Sequence, residues 1–320
     1  MLLHLRLTVP ADLTDGVRRR LLDDEYVTNL VVKEGVVLEP KGDLVECDVA
    51  RESTGEVLTA LEGLGLGARG GILVLSPTGT PFAAARKLEA VAPGHPDDAV
   101  VWESVEAQAR SGSVPTVSYL IFLVLAVILA AIAVITDSAI LVIGAMVVGP
   151  EFSAVAAASA GIVLARWRLV GRSLVLLVTS FAFAVLVVTL LALIARATGL
   201  ITPDLVTRPR PNTGFIWHPD VWSFIVALVA GAAGALALAI EKSATMVGVF
   251  ISVTTVPAAG NLALGLAVAD GGEISGSVAQ LGANVGGMIV SGTLLLLLVR
   301  ACWPWVMLHS ERMFGRTPVR

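Results

Sequence analysis

The sequence predicts an α-helical polytopic membrane domain, six spans in a 3+3 inverted repeat, preceded by an N-terminal ferredoxin-like α/β domain. Three observations carry this. Hydrophobic residues make up 56% of the chain and charged residues 15%, against about 25% charge in a soluble domain. The charges are unevenly spread: residues 1–116 hold 18 acids and 11 bases, whereas those from Val117 to Val299 sit almost entirely in short connections. The apolar half reads as two copies, spaced by about 105 residues.

In the α/β part, Leu2–Val9 alternates and reads as a strand, followed by a helix over Ala11–Asp24. Tyr26–Lys33 and Asp43–Arg51 read as strands around the turn Glu39-Pro40-Lys41-Gly42. Ser53–Leu64 is an amphipathic helix with Ser53 or Thr54 as its cap, and Gly71–Leu75 is a buried-strand pattern. The order βαββαβ is the ferredoxin-like one. Gly63, Gly65, Gly67, Gly70 and Gly71 lack the spacing and the lysine of a phosphate-cradling loop. A regulatory ligand sensor and a structural or oligomerising cap both fit such a domain. It is assigned residues 1–92, with a linker and membrane-entry helix at 93–116; Pro93–Pro96 forms the linker and Asp97 or Asp98 the helix cap.

Six apolar runs are long enough to cross the hydrocarbon core: Val117–Ile135, Ser138–Ala165, Ser173–Ala195, Val221–Ile240, Ser243–Ala269 and Ile274–Val299. Backbone in lipid must satisfy its own hydrogen bonds, so they are helices. The transmembrane domain is thus 117–300, with one copy at 117–196 and the other at 221–300, and 301–320 is a basic tail. Three runs per copy, an odd number, turn the second copy upside down. Gly149-Pro150 interrupts the second run and Val256-Pro257 the fifth, because proline removes a donor and clashes with the preceding turn. Breaks at matching places in inverted copies mark the binding site of many transporters.

The candidate path residues are Gly149, Pro150, Glu151, Thr254, Thr255, Pro257, Asn261 and Asn284, with Gln280 nearby. Glu151 is the one ionisable residue inside a predicted span, which costs roughly 2.5 kcal/mol or more at the bilayer centre. It reads as a proton acceptor or cation ligand, or as an acid favoured by the dipole of the half-helix it opens. Asn261, Gln280 and Asn284 line a polar path or bond between helices. Gly231, Gly234, Gly282, Gly286 and Gly287 allow close helix contact.

Arg166, Arg168 and Arg172 lie in one short loop and Arg312, Arg316 and Arg320 in the tail, which favours both termini in the cytoplasm. The loop Arg196–Asp220, with Arg196, Arg208 and Arg210, conflicts with that orientation. Cys47 and Cys302 stand alone, and four scattered histidines offer no metal site. No enzyme motif survives, and no cofactor is expected. The expected partners are the lipid bilayer, further copies of the chain and an unidentified small solute or ion, and not nucleic acid.

TDSAILVIGAMVVGP, ending at Pro150, and the later SATMVGVFISVTTVP, ending at Pro257, resemble the bacterial membrane family "domain of unknown function 389" over residues 100–300. The resemblance implies a multi-span inner-membrane protein with a cytoplasmic α/β domain and no established activity. This chain departs from the family pattern with Glu151-Phe152 after the first break and a single proline at the second. The residues together point to a transporter or channel. The alternative is a membrane-embedded sensor or scaffold that moves nothing.

Overall fold

The computed structural model describes residues 2–92, 99–241 and 253–314. They form two compact units: the described residues of Met1–Glu103 with those of Ala301–Arg320, and Ser104–Arg300.

In the first unit, β1 (Leu2–Val9), α1 (Thr14–Leu22), β2 (Val27–Leu38), β3 (Lys41–Ala50), α2 (Thr54–Gly63), α3 (Leu66–Arg69) and β4 (Gly71–Leu75) follow one another. The sheet order is β2-β3-β1-β4 and every neighbouring pair is antiparallel, the order of a ferredoxin-like sheet. Alternation along β1 puts Leu3, Leu5, Leu7 and Val9 on one face, where Val17 and Leu21 of α1 and Val57, Leu58 and Leu61 of α2 cover them. His4 and Arg6 point to the other face, where His4 pairs with Asp48 at 2.8 Å and Arg6 approaches Glu46.

Four details differ from the sequence reading. Strand β2 runs to Leu38, past the expected end at Lys33, because Asn29 and Gly35 take positive φ and shift the register, which hides the alternation. Helix α1 starts at Thr14, since a turn from Pro10 to Leu13 occupies the residues before it. Ser53 stands at the N-cap of α2 with no side-chain cap bond, and the Thr54 hydroxyl donates back to the Ala50 carbonyl. An unexpected helix, α4 (Ala83–Val91), packs Ala85 and Leu88 against Leu2 and Ala50. The linker Pro93–Pro96 and its caps Asp97 and Asp98 lie outside the described residues.

Helix α5 (Trp102–Gly112) leads to α6 (Val117–Thr136), α7 (Ala139–Val148), α8 (Phe152–Val163), α9 (Trp167–Ala197), the short α10 (Pro203–Thr207), α11 (Val221–Ala239), α12 (Thr255–Val268) and α13 (Gly271–Phe314). Thr116, Ser138 and Asp220 cap α6, α7 and α11 by accepting backbone N–H bonds. Helices α6, α9, α11 and the Gly271–Cys302 part of α13 are each long and apolar enough to cross a membrane. The pair α7–α8 makes a fifth candidate span, bent by 54°. The described residues thus carry four or five candidate spans rather than six. The run Ser243–Ala269 is described only from Val253, where α12 is a 14-residue apolar helix. Large apolar side chains face outward along α6 and α9, among them Ile121, Phe122, Val175 and Val178, as expected of a surface solvated by lipid.

Candidate functional site

The interruption at Gly149-Pro150 is real and has the expected cause. Proline cannot donate to Met146, so α7 ends at Val148 with Gly149 extended, and α8 begins anew with Glu151 at its N-cap. The second proline behaves differently. Helix α12 starts at Thr255, so Pro257 occupies its first turn, where a missing N–H costs no helical bond. Pro257 therefore does not interrupt α12. Helix α12 thus begins two residues before Pro257, with Thr254 as its N-cap, and the earlier part of the run, which decides whether it is broken, lies outside the described residues.

The N-termini of α8 and α12 meet. The Thr255 hydroxyl donates to Glu151 Oε1 at 2.8 Å, and Gly149 lies so close to the Glu151 carboxylate and Val256 that a side chain there would collide with both. Glu151 is buried, at 7% exposure, and its Oε2 finds no hydrogen-bond donor among the described residues. The eight path residues do not form one cluster. Gly149, Pro150, Glu151 and Thr255 gather at this meeting point. Thr254 accepts from Asn284 at 2.9 Å and from Gln280 at 3.1 Å in a second group. Asn261 belongs to a third.

That third group was not foreseen. Asn261 accepts from Arg210 at 2.6 Å and donates to Glu273 at 2.7 Å and Ser277 at 2.9 Å. Arg210 also pairs with Glu273 at 2.6 Å, both side chains being almost fully enclosed, and its guanidinium lies 6.0 Å from the Trp217 ring centroid. From the sequence Glu273 reads as a charge in a connection, because α13 starts at Gly271, three residues before the apolar run that marks it. The available signal was an arginine in a Pro-rich loop opposite an acid beside a span. The other loop arginines donate to backbone carbonyls, Arg196 to that of Ala267 and Arg208 to that of Ile135, so Arg210 is the one of the three that pairs with an acid among the described residues.

The spacing of 104 residues between Glu151 and Thr255 recurs elsewhere. Arg196 donates to Ala267 at 2.7 Å, and Arg300, equally spaced from Arg196, donates to Val163 at 2.8 Å, equally spaced from Ala267. The positive-φ residues Asp137 and Ala165 have counterparts in Glu241 and Ala269. Gly161 lies against Leu169 and Val170, and Gly265 against Glu273 and Ile274, at the same spacing. Glycine packing is partly as expected: Gly231 lies against Met288, Gly234 against the Phe152 ring and Gly287 against Phe224. Gly282 and Gly286 instead have open space where a Cβ would stand, so that GxxxG makes no close contact among the described residues.

The model of the family described as "Domain of unknown function (DUF389)" matches residues 146–290, from the end of α7 to within α13. The match supports the DUF389 family for this region. An uncharacterized protein of Methanocaldococcus jannaschii is 29% identical over 138 residues, covering 43% of this chain and 40% of that protein. The chain thus spans about two fifths of the length of the curated relative it matches. The family is therefore supported, and its bacterial restriction is not, since this relative is archaeal. No solved structure matches the chain.

Proposed function

We propose that the apolar helical domain, residues 117–300, is a membrane transporter or channel for an unidentified small solute or ion, built as a 3+3 inverted repeat of six spans. The recurring spacing of 104 supports the repeat, because Arg196–Ala267 and Arg300–Val163 are the same contact made from opposite copies. The two ends of the unit support the inversion. Asp137, Arg208 and Glu273 join contacts at one end, and Glu106, Arg166 and Arg300 at the other. Glu151–Thr255 falls between them, on the axis relating the copies.

The observation that carries the reading is Glu151: an enclosed carboxylate at a helix break, with one oxygen bonded to its own counterpart and the other without a donor. A charge at membrane depth is costly and survives where it binds or passes something. Its place at two helix N-termini resembles the substrate sites of broken-helix transporters. In this reading both termini and the α/β unit are cytoplasmic, in the inner membrane, and the α/β unit regulates flux. The test is ion and proton flux in proteoliposomes. Glu151→Gln is expected to abolish the flux or uncouple it from pH, and unchanged flux with unchanged pH dependence removes Glu151 from the mechanism.

One observation favours the alternative of a sensor that moves nothing. A cavity of about 630 Å³ opens on the uncovered sheet face of the α/β unit, lined by Arg6, Thr8, Val37, Glu39 and Leu73. Absence of any flux from wild-type proteoliposomes, with a ligand protecting β1 and β4 from hydrogen exchange, would favour it.

A further inference from the structure

We propose that the arginine-lined cavity where α5 and the α8–α9 turn come together is a binding site for the headgroup of an anionic phospholipid. The cavity, of about 690 Å³, is lined by Arg110, Arg166, Arg168 and Arg172 with Ser113 and Trp167. One carboxylate, Glu106, serves two of the four guanidiniums: it pairs with Arg110 and with Arg166, the latter at 3.1 Å. Burial pushes the Glu106 carboxyl up, but bonds to Arg110 and Arg166 outweigh that and hold it below the ordinary carboxylate range. It therefore stays charged and neutralises one arginine's worth of charge. Arg168 and Arg172 make no ion pair among the described residues, so the cavity keeps an excess of positive charge suited to a phosphodiester.

The surroundings select a lipid over a free anion. Arg168 and Arg172 stand one turn apart on α9, with Val175 on the same face and Phe183 about three turns further on, within one leaflet of the arginines. These two are 62% and 47% exposed. A headgroup held by the arginines thus continues into a stripe that accepts an acyl chain. Trp167 is 69% exposed beside them, at the level where indoles meet the membrane surface. At the positions 104 residues further on stand Asp270 for Arg166, Gly272 for Arg168 and Gly276 for Arg172, so the opposite end of the unit lacks the site. Basic pockets between spans are a known way to hold anionic headgroups. The inference needs the apolar helices to lie in a bilayer and does not need transport.

Native mass spectrometry of the full chain in detergent tests it, with phosphatidylglycerol and phosphatidylcholine of identical chains as probes. Wild type is expected to prefer phosphatidylglycerol. The double variant Arg168→Gln/Arg172→Gln is expected to lower that preference about thirtyfold. Glu106→Gln, which releases Arg110 and Arg166, is expected to raise it. Equal binding of the two lipids, a preference unchanged in the double variant, or displacement by equimolar inorganic phosphate would overturn the proposal. The two arginines are exposed, so the double variant keeps its fold, which circular dichroism checks.

Discussion

At the residue scale, this chain places acids according to what each one accepts. Asp43 in the α/β unit receives the Thr14 hydroxyl at 2.5 Å and the Gly35 N–H at 2.7 Å, and these bonds, Thr14 first, lower its carboxyl below the ordinary range. A lowered carboxyl contributes stability above its unfolded value and loses it as pH falls through the folded one. The unit should therefore lose stability below about pH 4. Asp43→Ala should cost about 2 kcal/mol at neutral pH, read from hydrogen exchange of β1 and β3 in the full chain. Unchanged protection would show that Thr14 and Gly35 do not depend on it. Cys47 is a contrasting case: burial pushes its thiol up to about 12, which makes it a core residue rather than a nucleophile. Glu151 was legible in the sequence because a lone acid in an apolar run is conspicuous. Its bond to Thr255 was not, since nothing local links residues so far apart.

At the scale of elements, the breaks and the buried polar network set the geometry. The break at Pro150 was readable because proline's missing donor is a local property. Pro257 stands in the first turn of α12, where a proline is tolerated, so it does not interrupt that helix. The strands and first two helices of the α/β unit followed from alternation and turn residues, whereas β2 outran its pattern where Asn29 and Gly35 shift the register. The Arg210–Glu273–Asn261 group ties the long loop to α12 and α13. Arg210→Ala should leave Glu273 buried and unpaired, at a cost of about 3–5 kcal/mol. Arg210→Met/Glu273→Leu should recover most of that. Thermal unfolding in detergent measures both, and a single-variant cost below about 1 kcal/mol would mean the pair is not a structural tie.

At the scale of the whole chain, composition was enough to separate an acidic α/β part from an apolar helical one. Spacing and hydropathy in the sequence suggest two copies, and a spacing of 104 residues recurs in several contacts. Arg196 and Arg300 keep the same partner position although little else between the copies is identical. Such a contact tolerates sequence change, because a backbone carbonyl accepts an arginine whatever residue carries it. In the proposed transporter the copies must be inverted, for only then do the N-termini of α8 and α12 meet from opposite membrane faces.

Sidedness labelling tests that inversion most directly. Ala165 and Ala269, both exposed and both at positive φ, end α8 and α12 at equivalent places. In sealed vesicles of one orientation, with Cys47 and Cys302 replaced by serine, Ala165→Cys and Ala269→Cys are labelled singly with a membrane-impermeant maleimide. The account predicts that one reacts only from outside and the other only after the vesicles are opened. Labelling of both from the same side would contradict it.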